Sequence, residues 1–349
     1  GSPSESWSGE QRGPPESSPT MSRYGGEVLQ TQMLVDEAVE ALLSQIDDTA
    51  IIACSGGIDS TVAAVLAHRA VGSLLHCVYV DTGLMRRGES DEVAEMFTEL
   101  GIGLKVVDAS ERFFSHLEGV TEPEEKRFVI GEQFIRVFEA EQGTCGAKYL
   151  IQGTIAPDWI ESGGGERDVI KSHHNVGGLP EDVDLAIVEP LKQFYKDEVR
   201  DIARQLGIPS SERQPFPGPG LAVRVLGELT PDRVEACRQA CHIVESHIQA
   251  AAEEGRCEIP WQYFAALLPV RSVGVHRDAR VHGETVVVRA VTSLDGMSAR
   301  YSPIPHDVLA EISTEITNAL KGQVNRVVYD ITHKPPGTCL LYTSDAADE

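Results

Sequence analysis

The short run Ala50-Ile-Ile-Ala-Cys54 has no polar face, and it opens directly into Ser55-Gly-Gly-Ile-Asp-Ser-Thr61 and a helix that continues to about Ala70. A strand that is apolar on both sides has to be covered on both sides, which is the condition of a parallel sheet wrapped by helices. The rest of the chain repeats this pattern. Leu34, Val35, Ala38, Val39, Leu42, Leu43 and Ile46 precede the strand at helical spacing. After it come a strand at 74–81, a helix around 93–100, a strand at 104–108, more helix, and a strand at 149–152. The expected fold class is α/β, a doubly wound parallel sheet, with ligands at the carboxyl ends of the strands. A hydrophobic share of 41% with only 6% Phe, Trp and Tyr suits an aliphatic interior of this kind.

With 349 residues the chain is long enough for two domains. Gln214-Pro-Phe-Pro-Gly-Pro-Gly220 breaks regular structure and marks a hinge or boundary. Beyond it Thr230 as N-cap and Pro231 at the first helical position open a helix to about Ala252. Strand-like runs at 264–268, 285–291 and 327–331, with a helix near 307–320, complete a smaller α+β unit. The expected organisation is a disordered leader at 1–30, with Met21 or Met33 as candidate starts, a main domain at 31–220, a second domain at 221–338 and a tail at 339–349.

The formal charge of −24, from 54 acidic and 30 basic residues, argues against a broad nucleic-acid surface. Seven cysteines lack CxxC or zinc-type spacing and fit a reducing cytoplasm. No apolar run approaches a membrane span and no signal-like segment opens the chain, so no membrane partner is expected.

The chemistry concentrates in the strand-to-helix turn. Its glycines let backbone N–H groups turn toward an anion, Ser55, Ser60 and Thr61 add hydroxyls, and the helix N-terminus adds partial positive charge. A pyrophosphate suits such a site. Neither a Walker A loop nor a G-x-G-x-x-G dinucleotide motif occurs anywhere.

Ser55-Gly-Gly-Ile-Asp-Ser60 resembles the PP-loop of the N-type ATP pyrophosphatases. Six longer strings narrow the resemblance to the GMP synthetase family: 80–89 (Val-Asp-Thr-Gly-Leu-Met-Arg-Arg-Gly-Glu), 152–162, 170–180 with Lys-Ser-His-His, 215–220, Leu268-Pro-Val-Arg-Ser-Val-Gly274, and Val327-Val-Tyr-Asp-Ile331. The match runs over about residues 35 to 338. It implies ATP and Mg²⁺ as co-substrate and cofactor, with XMP adenylated at O2 and then aminated by ammonia. A glutamine amidotransferase partner or domain would supply the ammonia, and the C-terminal domain would bind XMP and build a homodimer.

The resemblance assigns ATP and pyrophosphate to Ser55, Gly56, Gly57, Ile58, Asp59, Ser60, Val80, Asp81, Gly153 and Thr154, with Asp59 on Mg²⁺. It assigns catalysis to a lid at about 155–180 carrying Asp158, Glu161, Lys171, His173 and His174. A charged, Gly-rich loop of that length is a functional one, suited to closing over an intermediate that water would destroy. XMP falls to Pro217, Gly218, Pro219, Gly220 and Lys334, with Arg289 and Arg326 as nearby candidate cations. After Lys334-Pro-Pro-Gly-Thr338 the family expects Ile-Glu-Trp-Glu, and residues 339–349 instead resemble a translated sequencing adapter.

Rival readings are another PP-loop enzyme, of the NAD synthetase or tRNA-thiolation type, and a nucleotide-binding module without turnover. The Lys-Ser-His-His and Leu-Pro-Val-Arg-Ser-Val-Gly strings weigh against the first, and an undamaged loop and lid against the second. Gly143-Thr-Cys-Gly146 superficially matches a glutaminase elbow, but Ala147 stands where that elbow needs Gly. Cys237 and Cys241, four apart, are read as helix-packing thiols rather than metal ligands.

Overall fold

In the computed structural model the described residues are 19–155, 185–208, 214, 216–276, 279–293 and 298–341. The N-terminal lobe runs α1 (Pro19–Gln45), β1 (Ala50–Ala53), α2 (Ile58–Val71), β2 (Leu75–Asp81), α3 (Glu89–Glu99) and β3 (Leu104–Asp108). It continues with α4 (Ser110–Leu117), α5 (Pro123–Cys145), β4 (Tyr149–Ile151), β5 (Ala186–Val188) and α6 (Lys196–Gln205). The five strands form one parallel sheet in the order β3-β2-β1-β4-β5. Ile51 and Ile52 point to opposite faces and are both buried, which is why β1 carries no polar alternation. Strand order reverses between β1 and β4, so the crevice beyond their carboxyl ends is the place for a ligand.

The C-terminal lobe opens with a 3-10 turn, Gly220–Val223, followed by α7 (Pro231–Glu253). Thr230 caps α7 as expected, its Oγ1 accepting from the Arg233 N–H at 3.2 Å. The long hairpin of β6 (Gln262–His276) and β7 (Ala279–Thr292) is antiparallel, β8 (Arg300–Tyr301) pairs antiparallel with one end of β7, and β9 (Val324–Asp330) lies parallel to it. α7 packs along β6, and α8 (His306–Ala319) fills the space beside α7 and β9. β6 is longer than the run 264–268 read from sequence, because a register shift between Leu268 and Ser272 absorbs Pro269.

One apolar core joins the lobes. Ile51, Val78, Val80, Leu84, Phe113 and Leu117 belong to the same buried cluster as Val223, Val225, Leu229, Val234 and the inner face of β6 and β7. The other face of the parallel sheet has its own cluster, packed under α1, α2 and α6.

Candidate nucleotide site

The turn after β1 is a compact hydrogen-bonded nest. Gly56 takes φ +80°, and a Cβ there would lie 2.6 Å from Val93 Cγ2 of α3, so only glycine fits. The Ser55 N–H donates to Ser60 Oγ at 3.2 Å, the Gly57 N–H donates to Ser55 Oγ at 3.3 Å, and Ser60 Oγ–H and Thr61 Oγ1–H both donate to the Gly57 carbonyl. Asp59 sits in the first turn of the 14-residue α2, with Oδ1 buried at the loop. Gly153 follows β4 and presses on this turn: a Cβ there would be 3.1 Å from Ser60 N and 3.2 Å from Asp59 C. The structure therefore brings Ser55, Gly56, Gly57, Ile58, Asp59, Ser60 and Gly153 together at the reversal of strand order, with Thr154 next along the chain. The thiol of Cys54, just before the turn, is held well above its usual pKa by a shared hydrogen bond with Cys77 and by burial, so it is an inert packing group.

Val80 and Asp81 end β2 one strand away. Asp81 Oδ1 accepts the Gly83 N–H at 2.8 Å and Oδ2 accepts from Ser90 Oγ at 2.6 Å, which ties the strand end to the start of α3. A cavity of about 680 Å³ opens there, lined among others by Asp81, Arg86, Ser90, Asp108 and Arg238. Burial pushes the phenol of Tyr79, which Ser90 Oγ approaches at 3.5 Å, up to about 12, so this tyrosine stays protonated. Arg86 lies 4.3 Å over the Phe216 ring and donates through Nη2 to the Gln214 carbonyl at 2.9 Å. Arg224 stacks on the same ring and on Phe264, so a column of cations and rings joins the β2 loop to β6.

Pro217 to Gly220 form the turn between the lobes. Gly220 has φ +63°, and a Cβ there would stand 2.3 Å from the Leu84 carbonyl oxygen. Lys334 lies in the loop after β9, its backbone paired with Ala299 in both directions. The two candidate cations, Arg289 and Arg326, are placed differently. Arg289 is fully buried and all three of its nitrogens are engaged: Nη1 with Asp330 at 2.8 Å and the Thr332 carbonyl, Nη2 with the Thr338 carbonyl, Nε with the Cys339 carbonyl at 2.9 Å. Its donors are taken up by Asp330 and by the main chain on either side of Lys334. Arg326 is an exposed residue paired in register with Thr285 and donating to Ser272 Oγ, four residues along β9 from the Asp330 that holds Arg289. Asp158, Glu161, Lys171, His173 and His174 lie outside the described residues.

Of the decoys, Cys145 ends α5 with its thiol on the Gln142 carbonyl. Cys237 and Cys241 are buried and both donate to the Ala265 carbonyl. Among the described residues no group of three or more His, Cys, Asp or Glu could hold a metal ion. No described helix is long and apolar enough to cross a membrane. Sequence reasoning missed Ser90, Lys126 and Arg238; the hydroxyl partner of Asp81 had a local signal nine residues on, the two cations had none.

Comparison with known proteins gives the family. Residues 249–340 match the GMP synthase C terminal domain family. The chain is 50% identical over 310 residues to a subunit of the glutamine-hydrolyzing GMP synthase of Thermoplasma acidophilum, spanning 89% of this chain and 99% of that protein. The same-named proteins of Methanopyrus kandleri and Halobacterium salinarum are each 55% identical, over 308 and 312 residues, and 96% and 98% of their lengths are covered. With half or more of the aligned positions identical over nearly the whole of each relative, this chain belongs to the GMP synthase family.

Proposed function

We propose that this chain is the ATP-pyrophosphatase subunit of a two-subunit GMP synthase, a carbon–nitrogen ligase. XMP O2 attacks the α-phosphorus of ATP, pyrophosphate leaves, and ammonia then displaces AMP from C2 to give GMP. The observation that carries the reading is the hydrogen-bonded turn 55–61 seated where the strand order reverses, with Gly153 pressed against it. The relatives are covered over 96–99% of their length, and each is named as one subunit of a glutamine-hydrolyzing enzyme. A separate glutamine amidotransferase subunit is therefore the partner that supplies ammonia.

The N-terminal N–H groups of α2 and the hydroxyls of Ser55 and Ser60 would bind the β- and γ-phosphates, and Val80 and Asp81 would border the adenosine. Asp59 offers a buried carboxylate oxygen, the donor type that Mg²⁺ takes, and the ion when bound would neutralise charge on the leaving pyrophosphate. Asp158, Glu161, Lys171, His173 and His174 are proposed to close over the reacting atoms, exclude water and balance charge at the α-phosphate. XMP is assigned to the Pro217–Gly220 turn and Lys334, with Arg289 supporting that loop. An exposed apolar face at Val273, Val275, Val328 and Ile331 suits a second copy of the chain. All seven cysteines are free, which suits the cytoplasm.

The test is to incubate the chain with ATP, Mg²⁺, XMP and ammonium and to assay AMP, pyrophosphate and GMP. GMP formation with ammonium and none with glutamine alone is expected; absence of XMP-dependent ATP cleavage overturns the reading.

A further inference from the structure

The two lobes grip each other's main chain through cations, and the grips are reciprocal. From the N-terminal lobe, Lys126 in the first turn of α5 is fully buried and donates through Nζ to the carbonyls of Val225 at 2.8 Å, Gly227 at 2.5 Å and Ala222 at 3.4 Å. From the C-terminal lobe, Arg238 of α7 donates to the carbonyls of Gly83 at 2.5 Å and Met85 at 2.9 Å, while the Leu221 N–H takes the Leu84 carbonyl between them at 2.7 Å. Three consecutive carbonyls of the loop that ends β2 are thereby fixed by the C-terminal lobe. The connecting segment is in turn tied to β6, with the Leu226 N–H on the Leu267 carbonyl at 2.9 Å and the Leu267 N–H on the Arg224 carbonyl at 2.8 Å.

We propose that Lys126 is a positioning residue for adenylation, holding segment 217–227 in the register that aligns the XMP-bearing lobe with the ATP-side loop. The proposal rests on the function given above. A buried ammonium that spends its N–H bonds on neutral carbonyl oxygens is a poor device for stability alone, since an apolar chain of similar length fills the same space without desolvating a charge. Burial first and Arg233 of α7 second lower its pKa to about 8, Glu122 at the start of α5 opposes them, and the connecting segment presents carbonyl oxygens. What the ammonium supplies is direction. Its N–H bonds fix three carbonyl groups over six residues, and a misplacement of about 1 Å between reacting groups costs on the order of a hundredfold in rate.

The experiment compares wild type with Lys126→Met, which keeps length and loses the donors, and Lys126→Gln, which keeps two N–H donors. Equilibrium ATP binding without XMP should stay within about twofold, because the 55–61 turn is untouched, while kcat/KM for XMP should fall about tenfold or more in the Met variant and less in the Gln variant. A purely structural lysine would lower the melting temperature and leave that split unchanged, so a folded Met variant with wild-type kcat/KM for XMP overturns the proposal. A second measurement needs no variant and no turnover. In the wild-type protein the Leu221 and Leu226 amides should exchange hydrogen as slowly as the β2 amides, through the same opening. Exchange about tenfold faster by a separate local opening overturns the proposal even if both variants fail to fold. Failure of wild type to cleave ATP with XMP would count against the proposed function and leave the exchange result to judge the staple.

Discussion

Replacing Gly220 with Ala should be among the most damaging single-methyl additions in the chain. The new Cβ would stand 2.3 Å from the Leu84 carbonyl oxygen and 3.3 Å from Leu84 Cβ, where ordinary contact begins at 3.4 Å. The obstacle is backbone, and that backbone is held on both sides by Arg238, so the added methyl has to move the turn by roughly 1 Å. Doing so breaks the buried bond from the Leu221 N–H to Leu84, and Ala in addition has to adopt φ +63°. Left-handed backbone costs about 1–2 kcal/mol and an unsatisfied buried carbonyl about 1–3 kcal/mol, so a loss of about 3–4 kcal/mol is expected. Urea unfolding read by circular dichroism measures it. Gly218→Ala is the control, since Gly218 is exposed and nothing lies within 4 Å of its added Cβ; it should change stability by less than about 1 kcal/mol. A Gly220→Ala protein within about 1 kcal/mol of wild type would refute the close approach on which the argument rests.

Asp59→Ala should abolish XMP-dependent pyrophosphate release, measured with an enzyme-coupled phosphate assay, while Cys145→Ala should retain full ammonia-dependent synthesis. Arg289→Met should cost about 3–5 kcal/mol by leaving Asp330 charged and unpaired beneath the Lys334 loop, and calorimetry should show XMP affinity falling more than ATP affinity. Lys126 has a folded pKa of about 8, below the 10.5 of a free lysine, so the unfolded chain binds more protons between those values. Wild type should therefore gain up to about 3 kcal/mol relative to Lys126→Met as pH rises from about 8 to 10.5, and a pH-independent difference in urea midpoints would contradict the buried ammonium.

What was legible in the sequence was what is local. The parallel sheet showed in strands without a polar face, and the 55–61 turn showed because its glycines and hydroxyls serve one another within seven residues. β5 went unread because three residues, Ala186–Val188, are too few to carry a pattern. The true length of β6 was hidden by Pro269, which reads as a breaker until the bulge is seen. The burial of Arg289 was not legible, because an arginine bonded to carbonyls in the interior has the same letter as one facing solvent. Lys126 and Arg238 were invisible for a related reason: their partners are main-chain oxygens about a hundred or more residues away, and a carbonyl leaves no residue-type signature.

The apolar cluster that runs from Ile51 and Leu84 through to Val234 and β6 has a consequence for how such a chain is inherited. A cut near residue 220 would bare Val80, Leu84 and Phe113 on one fragment and Val223, Val225 and Val234 on the other. Each piece would then expose an apolar patch of the kind that drives aggregation, so the lobes are expected to fold as a pair. On this reasoning a functional exchange would have to move both lobes together, as one unit.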